Sequence, residues 1–299
     1  MASGNAVESF AMAWPTQLEY QEALAFPSRC FHDPELAAAQ VAEQGLFGLP
    51  QPITGNFANV YHLTSAAGEW AVRLFLREDA RRTARYEALR AHSSWPLCLA
   101  PFDYQPTGLT LARGTFPLMK LPWQEGEPLN TWVEAHLNDS AALETLATRW
   151  ASLIQELGAA ELAHGDLQHG NILVTPEREL RLLDYDALWA PSLAQLPPGE
   201  LGHPSYQPPQ RRYTSAQDRF PALVIYTALR ALAVAPELWY RLDNGDNLLF
   251  RREDFLNPTQ SRTFTLLREV RQISPLVAAL ETACTTAPSV VPSLSRYTT

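Results

Sequence analysis

Asp166 and Asn171 share the short run His164-Gly165-Asp166-Leu167-Gln168-His169-Gly170-Asn171, and Asp184 follows in Leu182-Leu183-Asp184-Tyr185-Asp186. An amide and a carboxylate that converge from such runs are hard oxygen donors. Mg²⁺ takes one or two of these from a protein and completes its shell with water and substrate phosphates. A further carboxylate a few residues before the amide can orient or deprotonate an attacking hydroxyl. Those are the working parts of a phosphoryl-transfer site.

For these side chains to meet, the chain must double back. Ile172 to Val174 is apolar and β-branched, Glu177-Arg178-Glu179 is a polar turn, and Leu180 to Leu183 returns as a strand ending on Asp184. Such a hairpin brings Asn171 and Asp184 to one end. A surface hairpin with acidic turns is the plainer reading. Against it, further pieces occur in order along the chain.

Upstream, residues 53–63 read as strand, tight turn, strand; Ala66-Ala67-Gly68 is a hairpin turn, and residues 69–75 alternate as a third strand. Residues 77–92 read as a helix with Ala84, Ala88 and Leu89 on one side. Residues 97–104, 108–112 and 116–121 read as strands, and residues 143–157 carry an apolar helical stripe through Leu146, Trp150 and Leu153. Residues 1–48 form an extension, loose over 1–9, with a short helix at 19–25. A second helix, with Asp33 as N-cap and Pro34 at its first position, is expected to reach about Gln44 and stop at Gly45. Its expected role is packing or partner docking. Downstream lie a Pro-rich segment, a helix opening at Asp218, and helices at 236–240, 261–270 and 275–284. A Ser/Thr/Pro-rich tail, expected to be loose, ends the chain.

The 299 residues are 46% hydrophobic, enough for one large domain or two lobes. A net charge of -9 argues against nucleic-acid binding, which needs basic stripes. Cys30, Cys98 and Cys284 are far apart, without metal-type spacing or a disulfide framework. No signal peptide or bilayer-spanning run is visible, so a cytoplasmic protein without membrane partners is expected. Lys120 is the sole lysine.

The run from His164 to Asn171 and the Asp184-Tyr185-Asp186 triplet resemble the H-R-D-L-x-x-x-N and D-F-G motifs of the protein-kinase-like superfamily. The form is similar to atypical bacterial relatives of the eukaryotic-type Ser/Thr kinases. Gly202-His203-Pro204-Ser205-Tyr206-Gln207-Pro208-Pro209-Gln210 resembles their GTxxYxAPE segment. The resemblance covers about residues 50–290. It implies an α+β, bilobal fold: a small antiparallel sheet lobe at 49–121, a larger helical lobe at 122–285, and a tail at 286–299. It implies Asp166 as catalytic base, and Asn171 and Asp184 as ligands of Mg²⁺ or Mn²⁺. ATP would be held by Gly55, Val60, Ala71, Arg73, Leu121, Trp123 and Leu173, with Glu87 as ion-pair partner of Arg73. It also implies that Asp218 accepts hydrogen bonds from the catalytic-loop backbone.

Departures from the pattern are specific. Gly165 replaces the Arg that reads activation-loop phosphorylation, and between Asp186 and Gly202 only Ser192 carries a hydroxyl. Gln168 replaces the catalytic-loop Lys and His203 the Thr that contacts it; Arg73 stands for the usual Lys; Gln210 and Val291 replace both halves of a buried ion pair. The implied activity is transfer of the ATP γ-phosphoryl group to a Ser/Thr hydroxyl of a protein. The alternatives are a pseudokinase that holds a protein partner, and a small-molecule kinase, whose relatives share the Gly after His.

Overall fold

Alternating apolar residues in β3 (Ala58–Ser65) and β4 (Gly68–Phe75) dictate a sheet with two different faces. The computed structural model describes residues 14–45, 48–55, 57–196, 198–199, 202–243 and 245–297. The expected loose run at 1–9 lies outside them. The chain divides into two units, one running to Thr83 and taking in Pro101–Trp123, the other comprising Ala84–Ala100 and the chain from Gln124. Helices are mixed with antiparallel sheets, so the chain is α+β.

The first unit begins with α1 (Gln17–Leu24), α2 (Pro27–Cys30) and α3 (Pro34–Ala37). Thr16 and Glu19 form a capping box on α1, and Asp33 caps α3 by accepting the N–H groups of Glu35 and Leu36. The helix expected to run to Gln44 ends at Ala37. Gln40 and Val41 pair instead with Thr64 and Leu63 as β1 (Gln40–Val41), because the open edge of β3 offers ladder bonds that outweigh local helix propensity. With β2 (Ile53–Thr54), β5 (Asp103–Leu111) and β6 (Gly114–Pro122), the sheet has the order β1-β3-β4-β6-β5, β2 also pairing with β3. The two strands expected at 97–104 and 108–112 are corrected to this single β5. A register shift between Gln105 and Leu109 absorbs the turn signal of Pro106-Thr107-Gly108.

Register sorts the side chains of this sheet. Val60 faces Arg73, Ala71 faces Leu121 and Arg73 faces Met119, so Val60, Ala71, Arg73 and Leu121 share one face. Tyr61, Leu63, Val72, Leu74 and Leu118 take the other, where Tyr20, Leu24, Phe31 and Leu36 of the extension join them in one core. Full burial of an apolar side chain of this size contributes about 1.5–3 kcal/mol, so the extension is the second layer of this unit. Polar ties fix its position: the Tyr20 hydroxyl donates to the Phe75 carbonyl, and Lys120 Nζ lies 2.9 Å from Asp33 and 4.2 Å from the centre of the Trp70 ring.

The second unit carries most of α4 (Arg82–Arg90), then β7 (Glu127–Pro128), α5 (Leu129–Ala135) and α6 (Ser140–Ala159). The expected helix start at 77 moves to 82, because the Asp79 side chain and carbonyl bind the N–H groups of Arg81 and Arg82 in a turn. Residues 84–100, expected in the sheet lobe, group with this second unit. On α4 the buried residues are Arg82, Arg85, Tyr86 and Leu89, whereas Ala84 is exposed and Ala88 half-buried. Asp139 caps α6, whose Trp150 indole donates to the Ala222 carbonyl of α7 (Arg219–Val234) over 3.0 Å. β8 (Ile172–Val174) and β9 (Leu180–Leu182) lie between α6 and α7 in sequence and join β7 in a short sheet of order β7-β8-β9, and α8 (Leu238–Leu242), α9 (Arg252–Leu256), α10 (Arg262–Arg268) and α11 (Ser274–Ala283) follow. The tail is packed rather than loose. Val291 and Leu294 are buried, and Arg219 donates to the carbonyls of Ser289 and Val291. Among the described residues no helix is long and apolar enough to cross a membrane.

Candidate functional site

Asp218, at the N-terminus of α7, anchors the loop from His164 to Asn171. Its two carboxylate oxygens accept the backbone N–H groups of His164 and of Gly165, the latter over 2.7 Å. Burial pushes its pKa up, and these two bonds oppose that shift. His164 adds a second anchor. Its Nε2 donates to the Leu183 carbonyl over 2.9 Å, and its Nδ1 accepts the Asp166 N–H over 3.3 Å. One side chain therefore ties the loop to the end of β9.

Gly165 has φ +84°, and a Cβ there would meet the Ala187 carbonyl and come within 2.6 Å of Gln217 Nε2. That geometry explains why no arginine stands at this position. The Gly165 carbonyl accepts from Arg211 Nη2 over 2.7 Å and from Gln207 over 3.3 Å.

Asp166 is 8% exposed and doubly held. Its Oδ1 accepts the His203 main-chain N–H over 2.6 Å, and its Oδ2 accepts Asn171 Nδ2 over 2.7 Å. Asn171 Nδ2 also donates to the Asp166 carbonyl over 3.0 Å. The amide nitrogen thus faces Asp166, which turns Asn171 Oδ1 the other way. The ladder of β8 and β9 pairs Ile172 with Leu182, and the Leu183 N–H extends it to the Asn171 carbonyl over 2.9 Å. Asp184 comes next, at φ +66°, with Oδ1 accepting the Asp186 N–H over 3.1 Å. Asp166, Asn171 and Asp184 are therefore brought together at one end of the hairpin.

These donors fit Mg²⁺ or Mn²⁺: an amide oxygen and a carboxylate, both hard, on adjoining strand ends. Among the described residues no group of three or more His, Cys, Asp or Glu side chains is arranged to hold a metal. An all-protein cage is not what Mg²⁺ uses beside phosphates; water and the phosphates complete the shell.

The expected nucleotide residues divide between the units. In the first, Gly55 makes a tight turn, its N–H donating to the Ala58 carbonyl over 3.0 Å; Asn56 beside it lies outside the described residues. Val60, Ala71 and Leu121 are half-buried on the sheet face of Arg73, which is buried. Trp123 stacks on His62 with ring centres 3.8 Å apart, and its N–H donates to the Glu69 carbonyl. Leu173, in β8, and Glu87, exposed on α4, belong to the second unit.

One residue of the site, Tyr86, and one main-chain contact, that of His203, were not picked out from sequence. The Tyr86 hydroxyl donates to Asp186 Oδ1, and Asp186 in turn binds Asp184 through its N–H. The buried stripe of α4 is the signal that identifies Tyr86. The other missed contact is the main chain of His203, invisible to any reading of side-chain types. The His203 imidazole points elsewhere: Nδ1 accepts the Ser205 N–H and Nε2 lies 3.1 Å from Asp246. Below it, His169 Nδ1 lies 2.7 Å from the Tyr206 hydroxyl. Burial, then the neighbouring His203, holds the His169 pKa down, and burial holds the Tyr206 hydroxyl well above its usual value.

No protein-family model matches the chain, and no curated protein is significantly similar to it.

Proposed function

We propose that the chain is a Mg²⁺-dependent phosphotransferase of protein-kinase-like type, which moves the γ-phosphoryl group of ATP to a hydroxyl of a protein. The observation that carries this reading is the clamped Asp166, with Asn171 and Asp184 on the strand ends beside it. A carboxylate with both oxygens fixed keeps further lone pairs for an acceptor hydroxyl. Asp166 orients that hydroxyl and takes its proton as the new P–O bond forms. Asn171 and Asp184 would hold the metal, which would supply charge neutralisation to the phosphates when bound. In the first unit, the face with Val60, Ala71, Arg73 and Leu121 is assigned to the nucleotide, apolar side chains meeting the base and Arg73 the phosphates. The segment from Gly202 to Gln210 supports a protein as acceptor, through its resemblance to the substrate-docking segment of protein kinases.

Two measurements test the proposal. Mg·ATP at one hundred times its Kd stabilises a binding protein by about 2.7 kcal/mol, which raises the melting temperature by several degrees. That rise is expected in the wild type and shrinks in Asp184→Asn. Transfer of labelled γ-phosphate to a general protein acceptor is expected from the wild type and is lost in Asp166→Asn. A wild type that shows no thermal shift at millimolar Mg·ATP refutes the reading and leaves a pseudokinase-like binding module. A wild type that labels small alcohols but no protein moves the acceptor to a small molecule.

A further inference from the structure

We infer that His203 is a positioning residue that acts through its main-chain N–H, fixing the Asp166 carboxylate in the orientation that receives the acceptor hydroxyl. The inference rests on the phosphotransferase reading. The side chains of Gln168, His169 and His203 are engaged with other partners. Gln168 Oε1 accepts the Gly170 N–H over 2.8 Å, so this side chain folds back on its own loop. The His169 ring is bound to Tyr206, and the His203 ring lies between the Ser205 N–H and Asp246.

Among the described residues, the Asn171 amide donates to Oδ2 and the His203 N–H to Oδ1, and these two bonds set the rotation of the carboxylate. Gly202 makes the approach feasible. Its φ is +25°, and a Cβ on it would lie 3.0 Å from Asp166 Oδ1, 2.8 Å from the Gly165 carbonyl and 2.5 Å from Gln207 Nε2. The backbone of this segment is thus seated directly on the catalytic loop. A main-chain donor has no rotamers to lose, so it presents the carboxylate at lower entropic cost than a long flexible side chain does. Gln168 and the main-chain contact of His203 then form one co-adapted change.

The test separates the N–H from the imidazole. A main-chain ester at residue 203 replaces N–H by oxygen and keeps the side chain, whereas His203→Ala removes the ring and keeps the N–H. His203→Pro is the genetically encoded counterpart of the ester, since φ at 203 is -67°, which proline adopts. Phosphoryl transfer and Mg·ATP binding are measured for each, with melting temperatures to establish folding. Loss of one hydrogen bond to a charged group lowers kcat about tenfold or more in the ester and in His203→Pro, with KM for Mg·ATP within about twofold of wild type. His203→Ala keeps this N–H and removes only the ring's bonds to the Ser205 N–H and Asp246, so its loss in kcat is smaller than that of the ester. A folded ester variant with wild-type kcat overturns the inference, as does a loss in His203→Ala equal to that in the ester. A wild type that transfers no phosphoryl group overturns the functional reading itself, and the inference falls with it.

Discussion

Gly165→Ala is the sharpest perturbation of the loop from His164 to Asn171, because it adds one methyl group at a point already fixed from three sides. The left-handed conformation at φ +84° costs a non-glycine residue about 1–2 kcal/mol. The added Cβ also meets the Ala187 carbonyl and Gln217 Nε2, the latter at 2.6 Å. Backbone at 187 gives way little, so Gln217 must move. It then gives up its bonds to the Ala163 carbonyl at 3.3 Å and the Ala187 carbonyl at 3.2 Å. Each lost bond costs about 0.5–1.5 kcal/mol. The sum is a destabilisation of about 2–5 kcal/mol, large against a typical total of about 5–15 kcal/mol. Urea titration of wild type and variant measures it as the fall in midpoint multiplied by the slope. The double variant Gly165→Ala/Gln217→Ala is expected to cost less than the sum of the two single changes, because one substitution relieves the crowding of the other. Equal midpoints for Gly165→Ala and wild type refute the reasoning, and strict additivity removes Gln217 from it.

Tyr86→Phe deletes the donor to Asp186 without changing shape, and a bond to a charged group is worth about 1.5–3 kcal/mol. The Mg·ATP thermal shift is expected to shrink along with the melting temperature, since Asp186 orients Asp184. Asp218→Ala strands the N–H groups of His164 and Gly165, at about 1–3 kcal/mol each, and should raise hydrogen exchange at both amides. Burial raises the Asp33 pKa, but the hydrogen bonds from Lys120, the Leu36 N–H and Gln105, together with the Lys120 charge, outweigh it and the net shift is downward. Its charged form therefore stabilises the fold above the unfolded value of about 3.9, and that stability is lost as pH falls through the lower folded value. Lys120→Met should flatten this acid limb in melting experiments between about pH 5 and 2.

The hairpin was legible because Ile172 to Val174 and Leu180 to Leu183 are short apolar runs divided by a polar turn. Its register then follows from which face is buried. Asp218 was legible for a similar reason, since an acid opening an apolar helix is a strong local signal. The failures share a cause in long-range pairing. Ala37 to Ala39 reads as helix, yet β3 claims Gln40 and Val41 from across the sheet. Val291 and Leu294 sit in a segment whose composition suggests solvent, and only the arrival of α7 gives them a core. Contacts made by backbone, such as the His203 N–H on Asp166, leave no trace in residue types at all.

The layer formed by residues 14–39 also bears on how the chain is born. Its strand partners are made long after it: Lys120, which meets Asp33, lies 87 residues further on. At about 5–20 residues per second, the extension waits roughly 4–17 s on the ribosome before that ion pair can form. Until β3 and β4 emerge, Tyr20, Leu24, Phe31 and Leu36 have no sheet to cover, so the nascent chain presents an apolar ledge. Synthesis from a start site downstream of residue 39 leaves the reverse defect, a completed sheet with Tyr61, Leu63, Val72 and Leu74 facing water. The first unit becomes self-sufficient only once translation has passed Trp123.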